Sequence, residues 1–236
     1  MRRYSAYRHT IWRMIEGQYR PATMKLVDSL SEQALLEDIL EHSKPPVPAE
    51  CQQLDYQFKS PFRYGKYPHS SRFRRAGRTP GVYYGAEQSI TAAIEFAWSR
   101  VGFFRASPNT PLPQNPIQLS AIPADIGGDH MTDLTWPDIA ALGPWTDPDN
   151  YEPCCALADQ IRNDGGQVII YASVRDPNAG RNVAVLTCAA FRQDTPIGLQ
   201  TWQVILRQDR VILNNESLRH TYEYLMGDTA FMAAAV

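Results

Sequence analysis

An α+β fold, with a mixed β-sheet core and surrounding helices, is what the order of elements in this chain predicts. Two hairpins in the C-terminal half, three well-separated amphipathic helices and the absence of a repeating strand–helix–strand unit carry that prediction. The 236 residues can bury the core of one large domain, and a single domain over 1–236 is expected.

Residues 7–15 alternate loosely between polar and apolar, and Ile11-Trp12-Arg13-Met14-Ile15 is dense enough in β-formers to be a buried strand. Arg13 inside that run either packs its stem with its head in solvent or turns its guanidinium inward for an anion. A helix follows over 28–43, where Ser29 to Glu32 can form a capping box and Leu35, Leu36, Ile39 and Leu40 share a face. Lys44-Pro45-Pro46-Val47-Pro48 stops it, because proline lacks the helical N–H and restricts the residue before it. Residues 61–80 are rich in Pro, Gly, Ser, Tyr and Arg without periodicity, and read as a surface loop.

Tyr83-Tyr84-Gly85 ends a short strand, and Ser89 is a candidate N-cap for the next helix. The apolar stripe there is Ile90, Ala93, Ile94, Ala97 and Trp98. Glu95 lies about 140° around from Ile90, so it borders the packed face without belonging to it. Residues 101–150 hold many prolines and little periodicity, which predicts short elements and long loops. Residues 150–162 form a helix with an early Pro153 and a stop at Asp164-Gly165-Gly166. A buried strand over 167–174, a turn over 176–180 and a partner strand over 182–186 make the best-marked hairpin. Residues 202–206 and 210–213 make another. A short helix carrying Tyr222, Tyr224 and Leu225 then precedes the tail Ala233-Ala234-Ala235.

Apolar content of 44% with 20% charged residues excludes a disordered or fibrous chain. Cys51, Cys154, Cys155 and Cys188 form no C-x-x-C pair, and adjacent cysteines suit neither a bridge nor a metal clamp, so free buried thiols are expected. The five histidines show no metal spacing, and no metal is expected. No apolar run reaches the ~18 to 20 residues that span a bilayer. The start, Met1-Arg2-Arg3-Tyr4, lacks the apolar stretch of a signal peptide, which leaves the cytoplasm as the expected location, with no membrane partner.

Charge is placed unevenly. The 31 residues from Tyr56 to Ala86 contain no acidic side chain but carry Lys59, Arg63, Lys66, Arg72, Arg74, Arg75 and Arg78, in a chain of net charge −2. Such a cluster suits a small polyanion such as a nucleotide pyrophosphate, and arginine's fork suits bidentate phosphate contacts. Direct nucleic-acid binding is not expected, because the chain is not basic overall and has no helix-turn-helix, zinc finger or RNP-like strand. P-loop, Rossmann and nucleophile-elbow motifs are absent as well, so any bound nucleotide must be held by arginines and loop amides.

The ordered series Phe62-Arg63-Tyr64, Ser71-Arg72-Phe73-Arg74-Arg75-Ala76-Gly77, Thr79-Pro80-Gly81-Val82-Tyr83-Tyr84-Gly85-Ala86-Glu87 and Thr91-Ala92-Ala93-Ile94-Glu95 resembles the RES domain, named for Arg, Glu and Ser. Tyr171-Ala172-Ser173-Val174-Arg175 and Gly180-Arg181-Asn182-Val183-Ala184-Val185 resemble its serine-bearing segment and following strand. The similarity runs from about residue 10 to about 192. The resemblance implies an ADP-ribosyltransferase-like fold and a bacterial toxin that degrades NAD, with NAD as substrate and no permanently bound cofactor. It also implies a cognate helix-turn-helix antitoxin as partner, and water or inorganic phosphate as acceptor. Carried over by position, Glu95, Tyr84 and Arg72 are the expected catalytic residues, and Arg13, Arg72, Arg74, Tyr84 and Ser173 the expected substrate-binding ones. Because the loop from Arg72 to Tyr84 is slightly longer than in the compact toxins, Arg74 stands beside Arg72 as a candidate anchor.

The residue types fit that chemistry. Cleaving the nicotinamide–ribose bond builds positive charge on the sugar, which a carboxylate such as Glu95 stabilises. Nicotinamide leaves as a neutral molecule, so no second acid is needed. Ser173 can hydrogen-bond Glu95 or the ribose, and Tyr84 can stack on the substrate. Two rival readings are a protein ADP-ribosyltransferase toxin and a non-enzymatic module that binds a nucleotide or RNA.

Overall fold

The computed structural model describes residues 4–17, 26–64, 67–227 and 229–233. Nine strands are present among the described residues: β1 (Ser5–Glu16), β2 (Tyr83–Ala86), β3 (Ile117–Asp133), β4 (Val168–Ala172), β5 (Arg181–Val185), β6 (Gln200–Leu206), β7 (Arg210–Asn215), β8 (His220–Met226) and β9 (Phe231–Ala233). They form one sheet in the order β1-β2-β5-β4-β3-β6-β7-β8-β9. β1 also pairs with β3, from Ser5 opposite Met131 to Glu16 opposite Leu119, so the first five strands close into a barrel-like ring and the rest extend from it as a meander. The helices are α1 (Leu30–Ser43), α2 (Tyr56–Arg63), α3 (Ser89–Ala106), α4 (Pro137–Ala140) and α5 (Glu152–Asn163). The β3–β4 pair is parallel, and α4 and α5 fill the crossover that a parallel pair requires. This is the mixed α+β arrangement expected from the sequence.

Two faces of the ring meet different partners. Inside it, Ile11, Tyr83, Ile122, Ile126, Ile170, Val183 and Val185 pack with Phe58 and Phe62 of α2 and with Phe191. On the other face, α3 lies against Leu119 and the meander residues Trp202, Val204, Val211 and Leu213. α3 is buried on more sides than its stripe predicts, with Thr91 and Ala92 enclosed as well as Ala93, Ile94 and Ala97. Its N-cap is Gln88 rather than Ser89, and the cap makes no side-chain hydrogen bond. In α1, Ser29 accepts from the Glu32 amide as the capping box predicts, yet none of its side chains is buried and Leu30, Leu35 and Ile39 are exposed.

Several sequence expectations need correction. Residues 101–150 contain the end of α3 and the 17-residue β3, the longest strand of the sheet, and the expected short elements and loops are confined to the short α4 and the segments around these elements. Pro123, Gly127 and Gly128 hide β3 from pattern reading. The two glycines make room for neighbours, since a Cβ at Gly128 would stand 2.4 Å from Gln167 Oε1 and one at Gly127 would stand 2.7 Å from Arg192 Nε. The segment with Tyr222, Tyr224 and Leu225 is strand β8, not a helix; its aromatics are two apart, which is the strand period. The loop expected over 61–80 begins only after α2 ends at Arg63. The start at Met1–Arg3, Lys66 and the tail residues Ala234 and Ala235 lie outside the described residues. Among the described residues no helix is long and apolar enough to cross a membrane.

Two of the four thiols are not free. Cys51 and Cys188 form a disulfide between two short 3-10 turns, Ala49–Cys51 and Cys188–Ala190, while Cys154 and Cys155 are free and buried. A pairing across 137 residues is set by tertiary structure and leaves no local spacing to read. Such a long closed loop constrains the unfolded chain, so Cys188→Ser should lower stability by about 2–4 kcal/mol, read from urea unfolding without reductant. In reductant the variant and the parent should converge; an equal midpoint for both without reductant would show that the bond contributes nothing.

Candidate active site

The sheet register builds the floor of a cleft. Trp12 lies opposite Ala86, Ala86 opposite Asn182, and Asn182 opposite Tyr171. Directly opposed residues share a face, so Trp12, Asn182 and Tyr171 point to the same side across four strands. All three line a cleft of about 480 Å³, together with Arg13, Tyr84, Glu95, Phe96 and Ser99. α3 crosses above this row and delivers Glu95 to it.

Glu95 is half-buried rather than solvated. Its Oε1 accepts from Ser173 Oγ at 2.7 Å and from Asn182 Nδ2 at 2.6 Å. Ser173 Oγ also accepts from the amides of Arg175, at 3.2 Å, and Asp176, at 3.0 Å. A hydroxyl has one proton and two lone pairs, so with both lone pairs taken the Ser173 proton is directed to Glu95. Oε2 of Glu95 has no hydrogen-bond partner among the described residues. The carboxylate is therefore held by one oxygen while the other is left to the cleft.

The serine loop is itself tied to α3. Thr91 Oγ1 donates to the buried Asp176 at 2.8 Å, and Gly180 passes so close that a Cβ there would be 2.2 Å from Thr91 Oγ1. Arg175 stitches the loop to its surroundings, donating to Thr229 O and to Pro148 O while its guanidinium lies over Trp98.

The expected substrate-binding arginines separate into two groups. Arg13 lines the cleft, its guanidinium 5.0 Å from the centre of the Tyr83 ring and donating to Tyr84 O at 3.3 Å. Burial pushes its pKa below the ordinary arginine range, and it has no carboxylate partner among the described residues. The guanidinium is turned inward, onto Tyr83 and the Tyr84 carbonyl, rather than extended into solvent. Arg72 and Arg74 do not line the cleft. Arg72 is 7% exposed, donates to Trp145 O at 2.9 Å and lies over the rings of Tyr151 and Tyr171. Arg74 stacks on Tyr67, donates to His69 O and keeps a buried Nε without a partner among the described residues. Tyr84 contributes its ring to the cleft, but its hydroxyl bonds Ser71 Oγ and the Phe73 amide; burial raises its pKa.

The basic run is less open than its sequence implies. Arg63 pairs with Glu41, and Arg75 with Glu152 and Asp159, because α1 and α5 bring acids that are distant along the chain. Arg78 is exposed. Arg72 is placed to support Tyr171 from behind, so Arg72→Ala should lower stability by about 2–3 kcal/mol through a lost buried hydrogen bond and ring contacts. Arg78→Ala should leave melting unchanged. An unchanged melting temperature with a raised KM for Arg72→Ala would instead favour direct substrate contact.

Sequence reasoning missed Asn182, the second partner of Glu95. A polar residue at the head of an otherwise apolar strand, Asn182-Val183-Ala184-Val185, was the available signal. Arg175 and the Thr91–Asp176 tie were missed too, since nothing local marks a residue that bridges distant elements.

A barrel-like mixed sheet crossed by one helix, with a braced carboxylate over an aromatic-lined cleft, defines an α+β class consistent with the ADP-ribosyltransferase-like superfamily. Within that class, the chain belongs to the RES domain family, whose model matches residues 47–207. The match includes Glu95, Ser173 and Asn182, whereas β1 and Arg13 precede it; the resemblance read from motifs began earlier and ended sooner. No curated protein sequence matches the chain. Among solved structures, it is similar to the crystal structure of the M. tuberculosis MbcT–MbcA toxin–antitoxin complex, at 14% identity, over 85% of this chain and 86% of that one, with a TM-score of 0.47.

Proposed function

We propose that this chain cleaves the nicotinamide–ribose bond of NAD and acts as a toxin by depleting it. The observation that carries this reading is the bracing of Glu95, with two donors on Oε1 and Oε2 left to the cleft. Among the described residues lining that cleft, Glu95 is the only carboxylate. A single carboxylate matches a reaction whose leaving group departs neutral. As the bond from C1′ to the ring nitrogen breaks, its electron pair neutralises the pyridinium, and the charge that grows on the sugar is stabilised by Glu95. Arg13, desolvated and without a counter-ion among the described residues, would hold a pyrophosphate oxygen, and the rings of Trp12, Tyr84 and Tyr171 offer flat surfaces for stacking. An oxygen of water or inorganic phosphate then bonds to C1′, water giving up a proton to solvent as it does so, and completes the exchange.

Family membership brings with it the expectation of a cognate antitoxin that suppresses the activity. The deciding experiment incubates purified protein with NAD, with and without phosphate, and identifies the products. Nicotinamide with ADP-ribose identifies a glycohydrolase, and nicotinamide with a phosphorylated ADP-ribose identifies a phosphorylase. Adenine-derived label appearing on protein would replace this reading with protein ADP-ribosylation, and intact NAD would overturn it.

A further inference from the structure

We propose that Asn182 is a substrate-recognition residue, whose side-chain carbonyl accepts a hydrogen bond from the sugar hydroxyl next to the one that Glu95 engages. The proposal rests on the NAD reading above and names how the cleft recognises the ribose.

Asn182 sits on β5 in the row formed with Trp12 and Tyr171, lines the cleft and is 3% exposed. An amide side chain can ordinarily be turned either way, but here the contact decides. Its partner is Glu95 Oε1, an acceptor already receiving the Ser173 proton, so Nδ2 must face the carboxylate at 2.6 Å. Oδ1 is thereby fixed on the other side of the amide. It takes no hydrogen bond among the described residues, although polar atoms on side chains this enclosed are usually paired. The cleft is the open side from which a partner can come.

Glu95 Oε2 has the same status. One hydrogen-bonded pair, anchored on a helix and a strand, thus presents two unengaged acceptor oxygens to a single cleft. A ligand that satisfies both needs two adjacent donors, which the cis-diol of a ribose supplies. Glu95 must lie near C1′ to stabilise the developing charge, so the hydroxyl nearest to it is the 2′. The neighbouring acceptor then falls to the 3′-hydroxyl. The nicotinamide carboxamide also carries two N–H donors, but it lies across the breaking bond from the sugar carbons that the carboxylate must approach.

The test compares NAD with an analogue lacking the 3′-hydroxyl of the nicotinamide ribose, each with the wild-type protein and with Asn182→Leu, which keeps the branched shape but can neither accept nor donate. On NAD, Asn182→Leu should lower kcat/KM by about 10- to 100-fold. On the analogue, where the wild type has already lost that contact, the same variant should cost at least about 3-fold less than on NAD, the remaining penalty being the lost Nδ2 brace on Glu95. Ser173→Ala serves as the control: it loosens Glu95 without touching the diol, and should cost the same factor on both substrates. Melting temperatures accompany every variant, and Asn182→Ala carries the comparison if Asn182→Leu does not fold. An equal penalty for the Asn182 variant on both substrates would overturn the proposal and leave Asn182 a positioning residue for Glu95. A penalty that disappears only with an analogue altered in the carboxamide would also overturn the proposal, by giving the Asn182 contact to that group. Wild-type inactivity on NAD would overturn the NAD reading and this assignment with it.

Discussion

Glu95→Gln is expected to reduce NAD turnover by ~10² or more while leaving the fold and most of the substrate affinity intact. The geometry makes glutamine an unusually clean substitution here. Its carbonyl oxygen can take the place of Oε1 and still accept from Ser173 and Asn182, while its NH₂ occupies the Oε2 position in the cleft. Packing and both braces are retained, while the negative charge facing the sugar and the acceptor at the Oε2 position are lost. Turnover and melting temperature measured on the same preparation separate the two effects. A folded variant with near-normal turnover would remove Glu95 from the chemistry; a large drop in melting temperature would mean that the braces need the charge.

Arg13→Met is expected to lower kcat/KM for NAD by about 10- to 100-fold, the cost of one charge-assisted contact to phosphate, and mainly through KM. Stability should move the other way or not at all. The guanidinium is desolvated without a carboxylate partner among the described residues, and an apolar side chain of similar length removes that burden. Opposite signs for activity and stability would mark a residue kept for binding. If melting falls and KM is unchanged, the contacts to Tyr83 and to Tyr84 O are the reason Arg13 is there.

The parts of this protein that were legible in its sequence are those fixed by local chemistry. The capping box of α1, the stripe of α3 and the hairpins β4–β5 and β6–β7 depend on neighbours a few residues away, and each lies within a few residues of its expected position. β3 was hidden because it takes three partners, β1, β4 and β6, and carries Pro123, Gly127 and Gly128 where distant side chains approach. At the site, a bond from Ser173 to Glu95 could be anticipated from residue types, whereas the departure of Arg72 and Arg74 from the cleft could not. A loop's composition does not say which way its side chains turn, and the carbonyl and rings that receive Arg72 belong to residues 145, 151 and 171.

The closure of the ring by β1 and β3 also bears on when the molecule can come into being. β1 is made well before its ladder partners, which run from Leu119 to Met131, and the cleft further requires Ser173 and Asn182. At ~5–20 residues per second on the ribosome, roughly 8–34 s pass between the synthesis of Arg13 and that of Asn182. Until β3 has been made β1 lacks its main ladder partner, and until Asn182 has been made there is no assembled cleft. Contacts so distant along the chain also make folding slow. The cleft therefore cannot be assembled before Asn182 has been translated, however early β1 and α3 are made.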